Sequence, residues 1–231
     1  MLRKAFHADL DQIAQDLVDM TLLAASAMAR ATTALLDADV TLAESVIDAD
    51  AEIDRAREDL DERCFGLLAR QQPVATELRI VVTAMRMSAD IERMGDLARH
   101  VAKVARLRYP GSAVPAELRG TILEMGHVAE LIVAQAGSVI AARDLDAALT
   151  LEREDDAMDD LHRDLFGRVT SPTWSHGTET AVDITLLGRY YERYADHAVS
   201  IARRVVFLVT GEYDVEAESS HEDVEDLVRE F

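Results

Sequence analysis

An all-α fold, built as two tandem pseudo-symmetric three-helix bundles with six long helices in all, is what this sequence predicts, and three observations carry the prediction. Proline occurs only at Pro73, Pro110, Pro115 and Pro172, and because proline breaks helix interiors, those positions mark loops and leave long uninterrupted stretches between them. Within the stretches apolar residues recur at helical spacing, as in Leu10, Ile13, Leu17, Met20 and Ala24, and again in Leu97, Val101, Val104 and Leu107. The two halves also repeat one another. Asp50-x-x-x-Asp54 with Leu60 recurs as Asp155-x-x-x-Asp159 with Leu165, and Glu92-Arg93-x-x-Asp96 recurs as Glu192-Arg193-x-x-Asp196. The second recurrence is slightly closer than the first, which fits one shortened helix or loop and leaves the repeat intact.

The helices are expected over roughly 2–37, 40–71, 74–109, 116–142, 145–170 and 177–210, with ends uncertain by a few residues. Asp39 and Asp144 are placed to cap the second and fifth helices, and Gly211 to end the sixth. Residues 1–110 then form the first bundle, residues 111–211 the second, and residues 212–231 an acidic tail expected to be disordered, in which Val224, Leu227 and Val228 could make a short docking helix. The composition agrees: 49% of residues are hydrophobic but only 5% aromatic, so packing falls to small and aliphatic side chains on long helices.

Charge excludes whole classes of function. The formal net charge is −20, whereas nucleic-acid binding needs a basic footprint that displaces counterions, and an anionic membrane surface would repel this chain as well. Cations, or the basic face of a protein, are the partners such a surface attracts. The single cysteine, Cys64, rules out an intramolecular disulfide and a cysteine-rich metal site. No secretory signal is expected in the Met1–His7 segment, and the apolar windows at Thr21–Met28 and Val205–Val209 are too short for a bilayer span. A cytoplasmic location follows as the expectation.

The repeated acids are the residues with chemical potential. Asp50 and Asp54 share one helix face, as do Glu92 and Asp96, because each pair is spaced i,i+4. Pro73 lies midway between the two pairs, so antiparallel helices joined there would hold them at one level. In the second half the midpoint falls in the Ser171–Gly177 loop. Four carboxylates within about 5 Å would repel by roughly 3 kcal/mol per ionised pair at an effective dielectric of about 20. Protons, arginines or a bound cation must relieve this. All-oxygen ligands suit Mg²⁺, Mn²⁺ or iron, while Arg93 and Arg193, next to the glutamates, could neutralise the charge instead. In so acidic a chain, i,i+4 pairs such as Asp156/Asp160 and Asp160/Asp164 also arise as ordinary solvated surface, and the residues alone leave both readings open.

Other features add less. His100 follows Asp96 and His162 follows Asp159 at helical spacing, so either could complete a site or simply pack, and His197 points to another azimuth. Arg79, Arg86 and Arg93 recur every seventh residue as a stripe suited to pairing with acids of a neighbouring helix, or else to contacting a partner or phosphate. A di-iron site wants two Glu-x-x-His helices; the matches are Glu124-x-x-His127 and Glu218-x-x-His221, the latter in the tail. No glycine-rich phosphate loop, nucleophile elbow or Cys/His arrangement occurs, so the chain is read as a non-enzyme.

The stretch Gln72-Pro73-Val74-Ala75-Thr76-Glu77-Leu78-Arg79, followed by Ala89-Asp90-Ile91-Glu92-Arg93-Met94-Gly95-Asp96, resembles the most characteristic segment of the PhoU family, with a weaker echo in Tyr191-Glu192-Arg193-Tyr194-Ala195-Asp196-His197-Ala198. The resemblance spans roughly residues 1 to 210, and departs in the second half, where Ser171-Pro172-Thr173-Trp174 stands in place of the Gln-Pro-Val-Ala turn. It implies two tandem three-helix bundles and a cytosolic negative regulator of phosphate uptake and phosphate-starvation signalling. Such a regulator is associated with the high-affinity phosphate ABC transporter and helps hold a phosphate-sensing histidine kinase inactive. It further implies metal-binding acidic pairs at Asp50, Asp54, Glu92, Asp96, Asp155, Asp159, Glu192 and Asp196. A homodimer is the expected assembly. The competing readings are a metal-binding helical protein or metal-dependent enzyme built on the carboxylate clusters, and an all-α scaffold without metal.

Overall fold

The computed structural model describes residues 2–212. The acidic tail beyond Glu212, with Glu218, His221, Val224, Leu227 and Val228, lies outside the described residues. Within them the chain forms α1 (Leu2–Asp37), α2 (Val40–Gln71), α3 (Thr76–Arg108), a 3-10 turn (Ala116–Leu118), α4 (Arg119–Ala142), α5 (Leu145–Val169) and α6 (Gly177–Thr210), with no strand among the described residues. The expected caps are in place. The Asp39 carboxylate accepts from the Leu42 amide at 3.0 Å, and Asp144 accepts from the amides of Asp146 and Ala147, each satisfying amide groups that the first turn leaves unpaired. Gly211, at φ 80°, closes α6 by donating its N–H to the Phe207 carbonyl. α3 starts at Thr76, two positions later than the periodicity suggests, because Ala75 takes φ 49° and ψ −118°, which no helix can contain.

Four helices make the centre. α1 packs on α3 and α4, and α6 packs on α3 and α4, while α2 rests on α1 and α3, and α5 on α4 and α6. The repeat is visible as α1–α3 matching α4–α6, yet the buried side chains of both halves form one continuous cluster. A buried hydrogen bond of 2.7 Å between the hydroxyls of Thr32 in α1 and Tyr191 in α6 crosses that core. The α3–α6 seam is antiparallel and polar: Asp90 accepts from Arg204 at 2.7 Å and meets His197 at 3.2 Å, and Arg108 donates to Asp183 at 2.6 Å and also to Glu179.

α4 corrects one expectation. The stretch Ala116–Ala142 has a window of mean hydropathy 1.4 and is long and apolar enough to cross a membrane by length and composition, which the attention to Thr21–Met28 and Val205–Val209 overlooked. Half of that window is buried inside the protein, because α4 packs on three helices, and a helix apolar around most of its circumference suits that position.

Candidate functional site

The acidic pairs sit near close approaches of the outer helices α2 and α5 to α3 and α6. Gly95 of α3 allows this in the first half: a Cβ there would come within 2.8 Å of Ile53 Cδ1 on α2. Gly188 of α6 does the same in the second half, where a Cβ would lie 3.0 Å from the His162 ring. The antiparallel pairing inferred from Pro73 therefore holds, and each set of four carboxylates lies within mutual electrostatic reach.

In the first cluster the acids are met by arginines. Asp50 is 6% exposed, and Arg99 donates to it and to Asp96 at once, joining α2 to α3. Arg57 on α2 lies 3.2 Å from Oε2 of Glu92 on α3, close enough for charge attraction although outside hydrogen-bond geometry. Arg93 donates to Asp96 at 2.9 Å and lies 3.7 Å from Glu92. Burial raises the Asp50 carboxyl above its usual range, the Arg99 charge opposes this, and Asp54, Asp96 and Glu92 add to it.

In the second cluster two carboxyls are strongly raised. Burial pushes Asp155 up to about 7, and the charges of Asp196, Asp159 and Glu192 push in the same direction. Glu192 is likewise raised to about 7, by burial first and then by Asp196, with Arg189 opposing. Arg189 donates to one Glu192 oxygen, and the other, Oε2, is buried without a hydrogen-bond partner. His162 stands beside Arg189, Asp159 and Asp196, its pKa lowered by burial and by Arg189. Under the repeat that matches Asp50 with Asp155 and Glu92 with Glu192, Arg57 falls on His162 and Arg99 falls on Val199.

The remaining candidates are used elsewhere. His100 stacks on Tyr190 across the α3–α6 seam at 5.2 Å, His197 meets Asp90, and Glu124 with His127 forms an exposed 3.8 Å pair. Arg79 lies over the Phe207 ring at 5.6 Å, so two members of the arginine stripe, Arg79 and Arg93, are engaged within the fold. A hollow of about 380 Å³ beside Trp174 and His176 contains none of the eight carboxylates. Sequence reasoning missed Arg57, Arg99 and Arg189. The signal for Arg57 and Arg99 was present, since each follows an acid of the motif, Asp54 and Asp96, by three residues and so shares its face.

Among the described residues, no three His, Cys, Asp or Glu side chains converge tightly enough to hold a metal ion as they stand. The donor sets nonetheless differ. Both glutamates keep a buried oxygen without a hydrogen-bond partner, but Arg57 and Arg99 reach across the first crossing, which fits a cation poorly, whereas the matching positions of the second hold His162 and Val199, which fits a hard cation better.

Comparisons with known proteins agree with the geometry. The profile described as the PhoU domain matches twice, over residues 17–105 and 122–205, once in each half of the repeat. Over 212 residues the chain is 49% identical to the phosphate-specific transport system accessory protein PhoU homolog 2 of Mycobacterium tuberculosis strain H37Rv, covering 92% of this chain and 100% of the relative. It is 48% identical to PhoU homolog 1 of Mycobacterium leprae, covering 92% and 96%. The crystal structure of PhoU from Pseudomonas aeruginosa superposes with a TM-score of 0.80 at 30% identity, covering 90% of this chain and 100% of that one. The phosphate transport system regulatory protein PhoU from Streptococcus pneumoniae shares the fold, with a TM-score of 0.81 at 24% identity over 90% and 98%. Two matched halves, each with its acidic pairs at a helix crossing, and relatives alike from end to end establish that this chain belongs to the PhoU family.

Proposed function

We propose that this chain is a negative regulator of phosphate uptake and phosphate-starvation signalling, a cytosolic homodimeric adaptor between a phosphate ABC transporter and a sensor histidine kinase. The observation that carries the reading is the near full-length identity with proteins named as accessory to the phosphate-specific transport system. A net charge of −20 suits protein and cation partners better than nucleic acid. The non-enzymatic reading is supported by relatives that are named accessory or regulatory proteins. Deleting every copy of the gene should leave phosphate-starvation reporters on in phosphate-rich medium, with repression restored by complementation. A reporter that stays off in the complete deletion strain contradicts the regulatory reading.

The carboxylates are read as cation sites for Mg²⁺, Mn²⁺ or iron. Asp155, Asp159, Glu192 and Asp196 would hold the ion, with the chemistry of a hard Lewis acid tying α5 to α6. Asp50, Asp54, Glu92 and Asp96 form the counterpart whose arginines stand against the same role. A cation bound only by the folded chain stabilises it by about 2.7 kcal/mol at about a hundredfold excess over Kd, so melting of metal-stripped protein with and without Mn²⁺ tests this reading.

A further inference from the structure

We propose that the two carboxylate clusters are not equivalent: the first is an ion-pair clasp between α2 and α3, and Arg57 and Arg99 are the residues that keep a multivalent cation out of it. The inference rests on the reading of the carboxylates as cation sites and narrows that reading to the second half.

Burial does not separate the two glutamates, whose side chains are both 13% exposed. Counter-charge does. Arg99 bonds Asp50 and Asp96 together from opposite sides of the crossing, and Arg57 reaches from α2 to Glu92 on α3. A guanidinium carries its charge at every accessible pH and engages carboxylate oxygens through a rigid fork of donors. A divalent cation entering between these acids would have to displace both guanidiniums and would then sit beside the charge of Arg99, which at 28% exposed has less room to retreat into solvent than Arg57 at 37%. In the second half the same positions hold Val199, which carries no charge, and His162, whose imidazole can offer a nitrogen lone pair. In both clusters the glutamate keeps a buried Oε2 without a hydrogen-bond partner; Arg57 lies 3.2 Å from that of Glu92, whereas the arginine of the second half, Arg189, enters one turn earlier on α6 and donates to the other oxygen of Glu192. The exchange of two residues between repeats thus converts a cation-binding arrangement into a self-neutralised one.

The test uses the full chain, stripped of metal and titrated with Mn²⁺, reading bound metal by elemental analysis and stability by thermal melting. In Glu92→Gln with Asp96→Asn, bound Mn²⁺ should equal that of the wild type while the melting temperature falls, because Arg57, Arg93 and Arg99 lose partners. In Asp155→Asn with Glu192→Gln, bound Mn²⁺ should be lost. Arg57→His with Arg99→Val copies the second half onto the first, and should bind more Mn²⁺ than the wild type and gain a larger Mn²⁺-dependent rise in melting temperature. Loss of Mn²⁺ from Glu92→Gln with Asp96→Asn overturns the proposal. So does a folded Arg57→His/Arg99→Val protein, checked by circular dichroism, that binds no more Mn²⁺ than the wild type. A wild type that binds none, beside an Arg57→His/Arg99→Val variant that does, keeps the arginines as gatekeepers and removes the ion from the second half. If that variant fails to fold, the metal content of the Glu92→Gln/Asp96→Asn protein decides alone. None of these readouts depends on phosphate reporters, so a failure here is distinct from failure of the regulatory reading.

Discussion

The α2–α3 and α5–α6 crossings carry the same four acids, yet their electrostatics differ through burial and through the charges around them. At the first crossing Arg57, Arg93 and Arg99 answer the carboxylates. At the second, Asp155 and Glu192 are both raised to about 7. A duplicated motif therefore does not ensure a duplicated site. The charges that touch a set of acids favour either a closed clasp or an opening for a cation.

The largest expected effect comes from breaking the clasp. Arg99→Ala strands Asp50, which is 6% exposed, and removing one partner of a buried pair costs about 3 kcal/mol. In a chain of this size that is a fall of roughly 9 °C in melting temperature. Thermal melting of the metal-free variant checks it, and a change of less than about 3 °C would show that the two crossings are electrostatically alike.

The second half should respond in the opposite direction. Asp155→Asn with Glu192→Gln removes repulsion and is expected to stabilise the metal-free protein by about 1 kcal/mol near pH 8. The pH dependence sharpens the contrast. Asp155 and Glu192 titrate near 7 when folded, well above the ordinary carboxylate range they return to when unfolded, so the folded state binds more protons between those values. Their destabilising contribution is complete above pH about 7 and is relieved as the pH falls toward about 5. The wild type should thus melt higher at pH about 6 than at pH about 8, and the double variant should lose most of that slope.

The smallest effect is steric. At Gly95→Ala the added Cβ meets Ile53 at 2.8 Å, and at Gly188→Ala it meets the His162 ring at 3.0 Å. Crowding of the first kind costs about 1–3 kcal/mol, partly offset by about 1 kcal/mol of helix propensity. Gly95→Ala should therefore destabilise and Gly188→Ala should lie near neutral, as chemical denaturation would read.

Much of this was legible in the amino-acid order. Four prolines and regular apolar spacing delimit all six helices, Asp39 and Asp144 act as the caps their positions suggest, and Pro73 midway between two acidic pairs is enough to bring those pairs together. The inequality of the clusters was harder to read. Arg93 and Arg193 lie next to the glutamates and drew attention first, although Arg193 is exposed. Which other arginines turn inward depends on the rotation of α2 against α3, which the close approach at Gly95 fixes and helical periodicity does not. The apolar character of α4 was likewise misjudged, because its neighbours on three sides require it to be apolar and no single face of it stands out.

Only the second crossing is expected to accept a cation. Crystals of metal-stripped protein soaked in Mn²⁺ and measured for anomalous scattering at the manganese edge test it most directly. An anomalous peak is expected among Asp155, Asp159, Glu192 and Asp196, and none among Asp50, Asp54, Glu92 and Asp96, where Arg57 and Arg99 should stay in place. Peaks of comparable height at both crossings, or a peak at the first alone, would contradict it.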